Sequence, residues 1–383
     1  MLSQEAKHLH IIDLDVPYPV DYGGVYDLFY KLPFLQKEGV QIHLHCFTRD
    51  RKPQPILNQY CASVHYYQRK TGLKSIAKVE PYIVASRQCE ELTQRLLEDD
   101  YPILMEGVHC TAITNDIRFK DRRLFVRLHN VEHHYYEQLH TNSSNFLKKL
   151  FFKNESRLLQ KYETALINKA TAFWTVTRSD EWYFRNKLNC KTVDYLPLFI
   201  PPWQLVPLQG MGTYCLYQAN LEVPENEVVA HWLLDEVFSK IETPLVIAGK
   251  NPSAALEDKA HQHIHTCLVA NPTEQQMQEM IAKAHINVLP SFSNTGIKIK
   301  LLNALYNGRH CVVNKNMVSG LGVDATCSIA EDAVALVELL PRLFEKPFDE
   351  NDFQKRKTCM ENQFNNTHSA RQMVTWIWDT YNK

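Results

Sequence analysis

The chain has 383 residues, more than one ordinary domain holds, and a norm of about 150 residues per domain points to two or three. Hydrophobic residues make up 45% and charged residues 22%, which excludes a disordered chain and provides for sizeable cores. With 42 basic against 43 acidic residues the formal net charge is -1, so no global attraction to nucleic acid or to an anionic membrane is expected.

The amino-terminal stretch is polar, and Asp13 and Asp15 interrupt its first apolar run, so no secretory signal is read there. Nowhere do ~18 apolar residues run together, as a spanning helix requires. Ten cysteines are scattered with no two closer than fifteen positions, which rules out paired zinc or redox motifs and suits a reducing compartment. A cytoplasmic protein is expected.

His10 to Val16 reads as a strand, Pro17 to Gly24 as a turn, and Val25 to Lys37 as a helix. Strand-like runs follow at Val40–Phe47, Ile103–Met105, Leu124–Leu128 and Ala172–Val176, with a long helical stretch over Leu147–Lys169. Strands alternating with helices imply a parallel sheet. The rhythm stops at Leu196-Pro-Leu-Phe-Ile-Pro-Pro, a stiff connector. It restarts with strands at Tyr214–Tyr217, Leu245–Ala248, Thr266–Val269, Ile286–Leu289 and Cys311–Val313. Helices are expected at Glu225–Lys240, Thr273–Ala284 and Lys298–Tyr306. The expectation is therefore an α/β protein with two Rossmann-like, doubly wound domains facing a cleft. The first covers residues 1–202 and the second 203–383, with a last helix near 366–383 that belongs to the second or packs back on the first.

Open α/β sheets bind ligands where strands end, so the turns after strands are the candidate sites. Gly23-Gly24 lets backbone approach a ligand ahead of a helix N-terminus, or is simply a flexible turn. His129, in Arg127-Leu-His-Asn-Val-Glu132-His133, follows a strand and can hydrogen-bond a sugar hydroxyl or stabilise developing charge. The same residues spell H-x-x-E-H, a zinc-hydrolase pattern when it lies within one helix, and surface histidines are the bland alternative. After Pro290 comes a polar loop with Thr295 and Gly296, then a helix with Lys298, Lys300 and Asn303, capped by Asn307-Gly308. Backbone amides, the helix dipole and the two lysines would hold a diphosphate; the competing reading is a solvated lysine face. Lys250, after another strand, reaches toward the same pocket. Asp13-Leu-Asp15 matches a metal-binding D-x-D but sits inside the first strand and is discounted. Lys148-Lys149-Leu-Phe-Phe-Lys153 interleaves basic and aromatic residues, as a peripheral membrane contact would, or as a helix face packed on the core would.

In order along the chain, these segments resemble the retaining glycosyltransferases of family 4, the glycosyl transferases group 1 class with the B-type fold. The resemblance rests on the Gly23-Gly24 loop, Leu128-His129-Asn130, Phe173 to Asp180, Leu216 to Leu221, Leu245 to Gly249, and Gly296 through Gly308 with Cys311-Val-Val. It implies transfer of a sugar from a nucleotide-sugar donor to a glycan or glycolipid acceptor with retention of configuration, in polysaccharide biosynthesis. It implies no metal cofactor; the balanced charge speaks against a nucleic acid partner, and the Lys148–Lys153 patch is what would hold the protein at the inner face of the membrane. His129 and Thr295 take the catalytic positions; Gly23, Gly24, Lys250, Gly296, Lys298, Lys300 and Asn303 take the donor-binding ones. The family's signature carries two glutamates at the positions held here by Thr295 and Asn303, so a catalytically silent sugar-nucleotide binding protein is the alternative.

Overall fold

The structure is a computed structural model, and it describes residues 6–21, 23–71, 79–143, 145–206, 208–293, 296 and 298–381. The chain divides into two compact units: Met1–Pro201 with Thr295–Ile297 and Phe364–Lys383, and Pro202–Asn294 with Lys298–Gln363.

The first unit holds strands β1 (Lys7–Asp13), β2 (Val40–Thr48), β3 (Ser63–Gln68), β4 (Ile103–Glu106), β5 (Leu124–Leu128), β6 (Ala172–Thr175) and β7 (Val193–Tyr195). They form one sheet in the order β3-β2-β1-β4-β5-β6-β7, and every pairing is parallel. Its helices are α1 (Gly23–Lys37), α2 (Tyr82–Ala85), α3 (Glu90–Leu96), α4 (Glu132–Asn142), α5 (Phe146–Leu166) and α6 (Arg178–Asn186). The two-residue period of β1 explains why the sheet is covered twice. Leu9 and Ile11 enter one core, while Ile12 enters the other.

The second unit holds β8 (Cys215–Asn220), β9 (Leu245–Lys250), β10 (Thr266–Ala270), β11 (Ile286–Val288), β12 (His310–Val313) and β13 (Ser328–Ile329), again all parallel, in the order β10-β9-β8-β11-β12-β13. Its helices are α7 (Pro224–Trp232), α8 (Ala254–His261), α9 (Glu274–Lys283), α10 (Ile299–Asn307), α11 (Lys315–Val318), α12 (Ala333–Phe344) and α13 (Glu350–Gln363). The expected helix over Glu225–Lys240 is α7 continued by one wider-wound turn, Leu233–Phe238. The last helix, α14 (Asn366–Thr375), lies in the first unit's core, where Ala370, Met373 and Ile377 pack with Leu9 and Ile11. Beyond it, Trp376 stacks on Trp174 of β6 with ring centroids 5.5 Å apart.

In both sheets the strand order reverses once, between β1 and β4 and between β8 and β11. Adjacent loops there turn to opposite faces, which leaves a crevice at the carboxyl ends of those strands. A separate feature lies across the flank of the first sheet. His8 and His10 of β1, His43 and His45 of β2, and His65 of β3 line one face. His8 contacts His43 at 3.0 Å, His10 contacts His45 at 2.9 Å, and His45 contacts the Tyr67 hydroxyl at 3.0 Å.

Two local expectations need correcting. Asp15 is not inside the first strand, because β1 ends at Asp13; the Asp15 carboxylate instead accepts the Val16 N–H at 2.8 Å. Gly308 does follow α10, but its backbone is extended rather than left-handed. Glycine is required there for room, since a Cβ would stand 2.5 Å from Asn287 Nδ2 and 2.8 Å from the Ala304 carbonyl.

Candidate functional site

Each sheet brings its own set of polar side chains to the strand ends at its reversal point. In the first unit, β1 delivers Asp13, β4 delivers Glu106, and β5 delivers Arg127 with His129 just beyond it. Helix α1 starts at Gly23-Gly24, so the glycine pair is its first turn rather than a preceding loop. One turn further, Asp27 and Lys31 lie four residues apart on the face turned to the sheet, and both are fully buried.

These side chains form a closed ion network. Arg127 holds Asp27 through two hydrogen bonds of 3.0 Å, from Nε and from one terminal nitrogen. Its remaining donors go to the carbonyls of Thr175, Leu196 and Pro197. The Lys31 ammonium lies 2.9 Å from Asp27 and also pairs with Glu106. His129 Nε2 is 3.0 Å from Glu106 and 3.6 Å from Asp27. Burial works against the charges of Asp27 and Glu106, but the opposite charges prevail. Arg127 and Lys31 hold the Asp27 carboxyl well below its usual range, and Lys31 and His129 lower that of Glu106. Burial opposes the His129 charge as well, yet hydrogen bonds to Asp27 and Glu106 raise its pKa, which favours the imidazolium. Asp13 behaves differently. It is fully buried, finds no hydrogen-bond partner, and is pushed well up by burial and by Glu106, so it keeps its proton.

Asp27, Glu106 and His129 offer atoms within 4.8 Å of one another, the one grouping of metal-ligand type among the described residues. Lys31 and Arg127 already neutralise both carboxylates, so that set is filled by the chain's own cations. The H-x-x-E-H reading meets a geometric objection: α4 begins at Glu132, which leaves His129 outside the helix. His133 turns away to Glu163, at 2.5 Å, and to the Tyr183 hydroxyl, at 3.0 Å. The Glu163 carboxylate also accepts the backbone N–H groups of Glu132 and His133, capping α4. Burial and Glu163 push the Glu132 carboxyl up to about 8.

In the second unit, Lys298 is the first residue ahead of α10 and Lys300 lies within its first turn. Neither is a solvated cation. The Lys298 ammonium donates to the Ser293 carbonyl at 2.9 Å and the Ser291 hydroxyl at 3.3 Å, both on the segment after β11. Lys300 donates to Asn226 Oδ1 at 3.2 Å and lies 5.3 Å from the centre of the Tyr217 ring. The Lys300 carbonyl accepts a hydrogen bond from Gln218 of β8. Burial lowers both lysines to about 8, and Lys298 adds to the effect on Lys300. No carboxylate lies within ion-pair distance of either among the described residues.

The other expected positions are more scattered. Lys250 is the exposed last residue of β9, and the preceding Gly249 packs so closely that a Cβ would meet the Ala219 carbonyl at 1.9 Å. Asn303 is half-buried on α10, where its side-chain oxygen accepts from Asn307 at 2.8 Å. Gly296 has a φ of +78°, the left-handed region that favours glycine. Thr295 lies outside the described residues. Within units, the structure thus groups Lys298 with Lys300, and His129 with a network that the sequence reading overlooked: Asp27, Lys31, Glu106 and Arg127. Their signal was there to read. Arg127 interrupts the apolar run Leu124–Leu128, Glu106 ends another, and Asp27 and Lys31 sit four apart amid apolar helix residues.

Residues 212–346 match the sequence family described as glycosyl transferases group 1. A 44.6 kDa protein in the cps region of Klebsiella pneumoniae is 24% identical over 338 residues, spanning 82% of this chain and 84% of that protein. Among solved structures, a glycosyltransferase from Rickettsia africae superposes with a TM-score of 0.68 at 10% identity, covering 98% of this chain and 99% of that one. An alpha,alpha-trehalose-phosphate synthase (UDP-forming) from Burkholderia xenovorans gives 0.62 at 11% identity, over 97% and 99% of the two chains.

Proposed function

We propose, from the match of residues 212–346 to the glycosyl transferases group 1 family and the B-type glycosyltransferase fold of both parallel α/β units, that this protein transfers a sugar from a nucleoside-diphosphate sugar to a glycan or glycolipid acceptor, with retention of configuration. The observation that carries this reading is the pair Lys298 and Lys300. Two largely buried ammonium groups sit at the amino end of α10, hydrogen-bonded to neutral oxygens only, with Glu225 acting on both from beyond ion-pair distance. Such a place favours an anion, because the helix dipole and both cations act together. The leaving nucleoside diphosphate carries the charge that this arrangement stabilises. Gly296, Asn303 and Lys250 are the remaining donor-side residues of this reading. His129, favoured as the imidazolium, and the Gly23-Gly24 turn are the first unit's contribution to the reacting sugar.

The related synthase from Burkholderia xenovorans is UDP-forming, in keeping with a nucleoside-diphosphate donor. The Klebsiella pneumoniae relative lies in a cps region, in keeping with a polysaccharide product. No metal is needed, since lysines take the charge that a divalent ion would otherwise take. The test is incubation of the purified protein with a panel of nucleotide sugars and lipid-linked or free glycan acceptors. Release of nucleoside diphosphate with an α-linked product from an α-linked donor is expected; a product of inverted configuration overturns the retaining mechanism.

A second reading has its own support. Thr295 and Asn303 stand where the family signature carries glutamates, and the Asn303 carboxamide is spent on Asn307 of its own helix. A protein that binds a sugar nucleotide without transferring it would bind the panel yet release no nucleoside diphosphate.

A further inference from the structure

Helix α5 presents two faces of opposite character. Its inner face carries Leu159 and Leu166, both buried, and Phe151 and Phe152, whose rings meet Tyr82 and Tyr136. The helix contains two acids, Glu155 and Glu163, and both face inward. Glu155 accepts the Ile83 N–H at 3.2 Å, and Glu163 caps α4. The outer face therefore has no negative charge. It displays Lys153, Arg157 and Lys161, all exposed and spaced four residues apart along one ridge. The amino end of that face is apolar: Phe146 is 71% exposed, Leu147 74% and Leu150 50%.

We propose that this face of α5 docks the protein on an anionic lipid surface, with Phe146, Leu147 and Leu150 entering the headgroup region and Lys153, Arg157 and Lys161 lying along it. Three bulky apolar side chains clustered at one tip lose contact with water on insertion, while the cation ridge is attracted to negatively charged headgroups. Charge complementarity holds although the whole chain is balanced at -1, because the helix has sorted its acids to the core and its bases to solvent. No helix among the described residues is long and apolar enough to cross a membrane, so this contact is peripheral. The inference stands apart from the transferase reading, because every residue it uses lies on α5.

The experiment is flotation of the full chain with vesicles of phosphatidylcholine, with and without phosphatidylglycerol. The protein is expected to float with the anionic vesicles and to remain below with the zwitterionic ones. Replacing Lys153, Arg157 and Lys161 together by Gln should weaken anionic partitioning roughly a hundredfold, at about tenfold or less per charge. The triple variant Phe146→Ser, Leu147→Ser, Leu150→Ser should lose the fraction that stays bound in high salt. Both variants change exposed residues, so their melting temperatures should match the parent's. Failure to float with anionic vesicles overturns the proposal, as does equal partitioning onto both vesicle types. Tight binding of a single-stranded oligonucleotide without vesicle binding also overturns it and assigns the ridge to nucleic acid.

Discussion

The two units share a topology and place charged side chains at the same point of their sheets, yet they handle that charge in opposite ways. In the first unit Lys31 and Arg127 match the carboxylates of Asp27 and Glu106 inside the protein, and His129 is hydrogen-bonded to Glu106. In the second, Lys298 and Lys300 lean on a carbonyl, a hydroxyl, a carboxamide and an aromatic ring, with no carboxylate partner among the described residues. The first network answers its carboxylates with its own cations, whereas Lys298 and Lys300 hydrogen-bond only to neutral groups and feel Glu225 from beyond ion-pair distance. The difference separates a scaffold for His129 from a seat for an anion.

The harshest way to break the comparison is to open the closed network. Arg127→Met leaves Asp27 with less compensation and strips three carbonyls of their donor. A loss of about 3–5 kcal/mol is expected in urea denaturation, because the cost of an unmatched buried charge is borne in full. A cost under about 1 kcal/mol would show that the network does not stabilise the sheet end.

The histidine row gives the next largest effect. Burial pushes His10 down to about 4 and His45 well below its usual value, so the unfolded chain takes up protons that the folded chain refuses. Stability is therefore full above pH about 6.5 and falls as pH drops toward about 4, by about 3 kcal/mol for His10 alone. Denaturation curves across that window should show the fall. His10→Gln should flatten it, and an unchanged slope would place the acid sensitivity elsewhere.

The open site makes the opposite prediction. Lys298→Met or Lys300→Met should leave stability unchanged or raised, since each removes a buried cation that lacks a carboxylate, yet should weaken nucleoside-diphosphate binding by about 10–100-fold, the worth of one charge-assisted contact. Because both lysines titrate near 8, binding should decline as pH rises through that value. The same depressed pKa means that stability should climb between pH about 8 and the ordinary lysine value, and less so in the variants. Calorimetry and denaturation at paired pH values check both signs.

The smallest effect is expected at Asp13. Its carboxyl is already protonated, so Asp13→Asn should shift stability by under about 1 kcal/mol, far less than Arg127→Met. A cost matching that of Arg127→Met would mean that Asp13 is ionised and belongs to the network.

Much of the fold was legible because both sheets are buried on two sides, so that central strands read as near-continuous apolar runs. Leu124–Leu128 is β5 to the residue, and Val40–Phe47 misses β2 by one. Three of the four edge strands were not legible. Ser63–Gln68 mixes polar and aromatic residues, and Val193–Tyr195 and Ser328–Ile329 are too short to carry a period. At the site, single residues after strands could be named from the sequence, but their partnerships could not. Asp27 and Arg127 are a hundred positions apart, and charges on a helix or strand read by default as solvated. For Lys298 and Lys300 that default was the competing reading: their spacing also suits an outward-facing row, and the packing of α10 against β8 and the segment after β11 shows them turned inward.

The most direct test of the account is titration of the protein and of its Lys298→Met, Lys300→Met double variant with nucleoside diphosphates and their sugar conjugates, followed by calorimetry and thermal shift. The account predicts that at least one such ligand binds the parent and raises its melting temperature by mass action, and that the double variant, equally stable alone, loses that response. A parent protein that responds to none of them, or a double variant that binds as well as the parent, would contradict it.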